Sequence, residues 1–177
     1  MELASGTTPS HGGRRWKGLP AAGSRDDSRI ASADNDGVIR IYEISTGKLL
    51  AHNDDFLTEP FAIDFTADAR QVVAAGADKF VVFIDALNGK LERRLERLPD
   101  PVAYVEVSPD GKHVSVALAK AESQSLPASV SAWDTLSGKK EAEWSPPTFP
   151  IGAAWTPDGH WLLATSDVNA VHLWRVY

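Results

Sequence analysis

One short pattern returns along this chain at a nearly fixed interval. Ser108–Val114 reads SPDGKHV, Thr156–Trp161 reads TPDGHW, and Thr66–Val72 reads TADARQV. The acid of this turn falls at Asp68, Asp110 and Asp158, steps of 42 and 48 residues, and 42 residues before Asp68 lies Asp26 in SRDDS. A second marker is a glycine turn: STGK at Ser45–Lys48, LNGK at Leu87–Lys90 and LSGK at Leu136–Lys139. Its glycines, Gly47, Gly89 and Gly138, are spaced 42 and 49. A third marker sits five residues before each glycine, at Tyr42, Ile84 and Trp133, and Trp174 continues the series 41 residues later. Three markers with one period make the chain a repeat, and each repeat is one supersecondary unit that buries its faces against its neighbours.

The unit reads as strand, turn, strand, link, strand, turn, strand. In the third unit Ala103–Val107 (AYVEV) is a short apolar strand. Asp110-Gly111 turns, because Gly accepts positive φ and Asp caps nearby backbone N–H groups. Lys112–Leu118 (KHVSVAL) then alternates with period two. Val130–Trp133 (VSAW) is a third strand, and after Ser137-Gly138 the polar Lys139–Trp144 (KKEAEW) is a fourth. Grading from an apolar first strand to a charged last one predicts a four-stranded sheet with one edge at a centre and the other at a rim. Phe80–Ile84 (FVVFI) is continuously apolar, which fits a sheet covered on both faces. Four-stranded antiparallel units every 40–45 residues are the pattern of β-propeller blades. The fold class expected is therefore all-β, an incomplete ring of about four units near 19–52, 53–95, 96–144 and 145–177, after a flexible tail over 1–18.

Composition narrows the function classes. With 43% apolar residues and six Trp the chain can build a core, and no run of 18 apolar residues appears. No secretory h-region is visible, so a cytoplasmic location is expected. Zero Cys removes disulfides and thiolate metal sites. A net charge of −6 argues against nucleic acid as the main partner. The five His show no paired-ligand spacing, and there is no phosphate loop or nucleophile elbow. Neither cofactor nor metal is expected.

SPDGKHVSVALA…VSAWDTLSGK and TPDGHWLLATSDVNAVHLW resemble WD-repeat propeller blades, over roughly residues 24–177. The most specific pieces are Trp133-Asp134 and Ser166-Asp167 with Val171–Trp174; Ala33–Tyr42 is similar, with Tyr in place of Trp. The family's Gly-His survives only as Ala51-His52, and its His–Asp–Ser/Thr–Trp network is complete in no unit. The second unit has His52 and Asp78 but Ile84; the fourth has Thr165, Asp167 and Trp174 but no His in 145–150. The resemblance thus implies blades held mainly by packing.

It also implies two rims of loops. Links between second and third strands, and between units, share one rim, which carries Asp34, Asp36, Asp54, Asp55, Glu59, Asp78, Glu96, Asp100, Glu122 and Asp167 against Lys79, Arg97 and Lys120. That is ten acids against three bases, whereas the opposite rim has eight against nine. Such an acidic rim is either a docking surface for a basic or polar protein segment or a set of Asp turn formers. His52–Pro60 (HNDDFLTEP) and Ala119–Ser129 (AKAESQSLPAS) are its distinctive loops. The candidate partner-binding residues are His52, Asp54, Asp55, Phe56, Asp78, Glu122 and Asp167, with Phe56 as a loop-tip anchor. The leading expectation is a non-enzymatic interaction scaffold of the WD type; the alternative is a propeller enzyme or small-ligand binder, hydrolase-like or quinoprotein-like, acting at a central channel.

Two further expectations concern packing. Trp133, Trp155, Trp161 and Trp174 should be buried. The first unit has a poor inner strand near Leu19–Gly23, and the fourth lacks a fourth strand, for which Arg14–Leu19 is the one candidate. The chain is thus expected to be the C-terminal part of a larger propeller or a protomer that completes a ring with another chain, and to self-associate.

Overall fold

The structure, a computed structural model, describes residues 20–34, 37–54, 59–119, 129–147, 150–166 and 170–176. Among them there is no helix, hence none long and apolar enough to cross a membrane. The described residues form fifteen strands in four antiparallel sheets, each built from consecutive strands. The first contains β1 (Ala21–Gly23), β2 (Arg29–Ala33), β3 (Ile39–Glu43) and β4 (Leu49–Asn53). The second contains β5 (Pro60–Phe65), β6 (Gln71–Gly76), β7 (Val81–Asp85) and β8 (Leu91–Arg94). The third contains β9 (Val102–Val107), β10 (His113–Leu118), β11 (Val130–Asp134) and β12 (Lys140–Trp144). The fourth has three strands, β13 (Pro150–Trp155), β14 (Trp161–Ser166) and β15 (Val171–Arg175). The strands expected in the third unit are found to within one residue. β1 is short and lies just after Pro20, whose carbonyl accepts the Ala33 N–H at 3.0 Å.

The repeated markers are repeated structures. In each unit the hydroxyl of Ser24, Thr66, Ser108 or Thr156 donates to the Asp two residues on, at 2.5 to 2.7 Å. The same Asp oxygen accepts the N–H of Ser28, Arg70, Lys112 or His160 at 3.0 or 3.1 Å. The hydroxyl in turn accepts the N–H that begins the second strand, from Arg29, Gln71, His113 or Trp161. Left-handed backbone completes the turn at Asp27, Ala69, Gly111 and Gly159, with φ of 56°, 57°, 75° and 73°. The first two units thus hold a Cβ where glycine is the unstrained choice. The third marker also has a structural meaning. In the first three sheets the pairing of third and fourth strands slips by one residue immediately before Tyr42, Ile84 and Trp133. This is a β-bulge at one position of the repeat, and bulges increase local twist.

The sheets pack face to face in chain order. Ala31, Ala33, Ile39 and Ile41 of the first meet Phe65, Val72, Val82 and Ile84 of the second. Val73, Val81 and Phe83 on the other side of the second meet Val105, Val107, Val114 and Trp133 of the third. Ala117, Val130 and Ala132 of the third meet Trp155, Leu162 and Ala164 of the fourth. This two-sided burial explains why β7 is apolar without alternation.

The tryptophans divide. Trp133 is 1% and Trp155 7% exposed, as expected. Trp161 is a correction: at 37% exposure it is a surface residue, on the face of the fourth sheet that no described residue covers. Trp174 is half-buried, stacked on Trp144 with centroids 5.5 Å apart. Neither belongs to a sheet with a described partner on both faces, so the burial expected of them is incomplete.

Candidate functional site

Two regions qualify: the strand-linking loops that the resemblance places on one rim, and a cleft lined by the first strands of three sheets. On the rim, His52 is exposed but belongs to β4 rather than to a loop. It lies opposite Arg40, and its carbonyl backs onto Gly89 of the second sheet. Asp54, the first residue after β4, is exposed. Asp78 is half-buried; its carboxylate accepts the Phe80 N–H at 3.3 Å, and burial raises its pKa. Asp55, Phe56, Glu122 and Asp167 lie outside the described residues.

Other rim acids are consumed locally. Asp34 accepts the Val38 N–H and pairs with Arg40. Asp100 is 9% exposed with Lys79 3.9 Å away. Turn formation therefore accounts for Asp34 and Asp78, Asp100 is buried beside Lys79, and the described acids of these loops left on the surface are Asp54, Glu59 and Glu96.

None of the cleft's lining residues is among the candidates named from the sequence. A pocket of about 360 Å³ is lined from the first three sheets by Pro20, Ala22, Phe61, Asp64, Tyr104 and Glu106, among others. Asp64 on β5 and Glu106 on β9 occupy one repeat position, 42 residues apart, and each reaches the following sheet. Asp64 accepts the Val107 N–H at 2.8 Å, and Glu106 accepts the Trp155 N–H at 3.1 Å. Burial pushes the Glu106 carboxyl up to about 7, helped by the charge of Asp64. Burial also raises Asp64, while its backbone hydrogen bonds and Arg25 oppose the shift. Tyr104 is driven up to about 12 by burial and by the two carboxylates.

Arg25, in the first turn of the first sheet, donates through Nη2 to the Val107 carbonyl of the third at 2.7 Å. Parallel stacked sheets lie about 10 Å apart, so the first and third would be about 20 Å apart. The guanidinium nevertheless spans them, so the first and third sheets approach each other at this end more closely than parallel stacking allows.

Chemically, the cleft is a pair of carboxylate clamps on backbone N–H groups. Its lining includes no histidine, and no group of three or more His, Cys, Asp or Glu among the described residues could hold a metal ion. The signal for the clamps was in the sequence: an acid inside an apolar strand, at the same repeat position twice, with Ala22 and Ala154 in the outer units.

In comparisons with known proteins, no family model and no curated protein sequence matched this chain.

Proposed function

We propose that the four sheets are consecutive blades of a WD-type β-propeller arc, and that the protein is a non-enzymatic scaffold binding a basic protein segment through its strand-linking loops. The observation that carries this reading is the Arg25–Val107 hydrogen bond between first and third sheets, which fits first strands gathered about an axis. In that arrangement every link from second to third strand, and from one sheet to the next, falls on one rim. Its exposed acids Asp54, Glu59 and Glu96 would meet cationic side chains in a way that salt screens.

The test uses an arginine-rich peptide, with a glutamate-rich peptide as control. Binding should weaken with salt and be lost in the Asp54→Lys, Glu59→Lys, Glu96→Lys triple variant. Equal binding by that variant overturns the reading. The second reading, a small-ligand site at the axis, is favoured by the 360 Å³ cleft alone. It predicts a ligand whose binding responds to Phe61→Ala and not to the rim variant.

A further inference from the structure

Each sheet has a forward face, toward the next sheet in the chain, and a backward face. Three forward faces are covered. At one repeat position Ile39, Val81 and Val130 are all 0% exposed, and the fourth sheet's Val171 is 63% exposed. At another, Ile41, Phe83 and Ala132 are 0% exposed, against 53% for Leu173. Cross-strand pairing sets Leu163 beside Leu173, Thr165 beside Val171 and Arg175 beside Trp161, so the uncovered residues share one face, largely apolar with Thr165 and Arg175 at its two ends. The one backward face left uncovered among the described residues is that of the first sheet, where Ile30 is 41% exposed, Tyr42 is half-buried and Gly23 is exposed.

The two faces match in shape. In the third interface, His113 packs its ring against Trp155 with centroids 5.9 Å apart. Trp161 is the forward-face equivalent of His113, and Gly23 is the backward-face equivalent of Trp155. A bulky side chain at the fourth sheet's end therefore faces an absent one at the first sheet's end. A Cβ on Gly23 would meet nothing within 4 Å, so the space in front of it is open.

We propose that the forward face of the fourth sheet takes the backward face of the first sheet in a second copy of this chain, with Trp161 over Gly23 of that copy. Three internal interfaces show what this face accepts, and the second copy offers the complementary surface. The contact is heterologous, and applied twice it closes two chains into a ring of eight sheets, within the range of propellers. The inference rests on the blade reading above but is independent of the acidic rim.

The experiment is light scattering after size exclusion on the wild-type chain, Leu173→Glu, Ile30→Glu and their mixture. Both substituted positions are exposed, and circular dichroism melts check that the fold survives. The wild type should run at twice the 19.1 kDa chain mass without growing further at higher concentration. Each single variant should be monomeric, its pairing weakened about a hundredfold or more by a charge buried without a partner. Their equimolar mixture should recover heterodimer, since one intact interface remains. A monomeric wild type, a single variant that still dimerises, or a mixture that stays monomeric overturns the proposal. Failure here leaves rim binding to be scored separately by the peptide assay.

Discussion

The Asp64 carboxylate holds the backbone N–H of Val107 at 2.8 Å across the boundary between two sheets. Val107 is fully buried, so that N–H has no access to water. Asp64→Ala should cost about 1 to 3 kcal/mol, the penalty of a buried unsatisfied donor. Asp64→Asn keeps an acceptor and should cost less. Urea unfolding of both variants checks the order; equal losses would show that the acceptor is unimportant.

Glu106 repeats the clamp on Trp155, and its raised pKa gives it a pH signature. Its folded pKa of about 7 lies above the ordinary glutamate value of 4.5. Its contribution to stability is therefore fully present below about 4.5 and is lost as pH rises through 7. Asp64 is shifted in the same direction. The wild type should melt higher at pH 5 than at pH 8, and Glu106→Gln should reduce that difference. A pH 5 to 8 melting profile unchanged by Glu106→Gln would remove the assignment.

The turn aspartates push the other way. Asp26 is lowered to about 2, chiefly by hydrogen bonds from Ser24 and Ser28, and Asp158 is lowered by the Thr156 hydroxyl. Their contribution is present above the ordinary aspartate value of 3.8 and is lost as pH falls through the lowered values. Acid unfolding should thus set in below about pH 4, and Asp26→Asn should shift its midpoint upward. The check is a fluorescence titration from pH 6 to 2.

How far the sequence reached follows from what periodicity can encode. Unit length, strand positions and turn chemistry were legible because Asp26, Asp68, Asp110 and Asp158 each fill one local role, fixed by near neighbours. Burial of Trp161 was misjudged because periodicity assigns a residue to a face and says nothing of whether another sheet covers it. The rim acids had two readings, docking surface or turn former, and the structure gives the second for Asp34 and Asp78. Asp34 and Asp78 carry charge in the sequence, but their carboxylates serve backbone N–H groups in the structure. Asp64 and Glu106 recur at one repeat position in β5 and β9, but the N–H that each carboxylate accepts belongs to the following sheet, a long-range contact that periodicity does not encode.

The tryptophans give a paired test of sheet coverage. Trp133 is 1% exposed and donates its Nε1–H to Ser131 at 2.8 Å. Trp133→Ala should cost about 3 to 5 kcal/mol, the usual range for a buried aromatic. Trp161 has lost neither water nor freedom to that degree, so Trp161→Ala should cost far less in the monomeric Ile30→Glu background. Denaturant unfolding of both variants there would settle the ranking; similar losses would mean that Trp161 is buried by residues outside those described.

The glycine turns separate backbone strain from close approach. Gly47 and Gly89 occupy the same turn with φ of 69° and 73°. A Cβ on Gly47 would meet nothing within 4 Å, so Gly47→Ala should cost only the left-handed penalty of about 1 to 2 kcal/mol. A Cβ on Gly89 would sit 2.1 Å from the His52 carbonyl oxygen, and that oxygen is backbone of the preceding sheet. Asn53 also donates its side-chain amide to the Gly89 carbonyl at 2.7 Å, so the turn and the end of β4 are tied together. Gly89→Ala must push the two sheets apart at their outer edge. Its cost should exceed that of Gly47→Ala by about 2 kcal/mol or more, in the range of overpacked cores. Chemical denaturation of the two alanine variants measures the difference directly, and equal destabilisation would show that the first and second sheets do not meet at this turn.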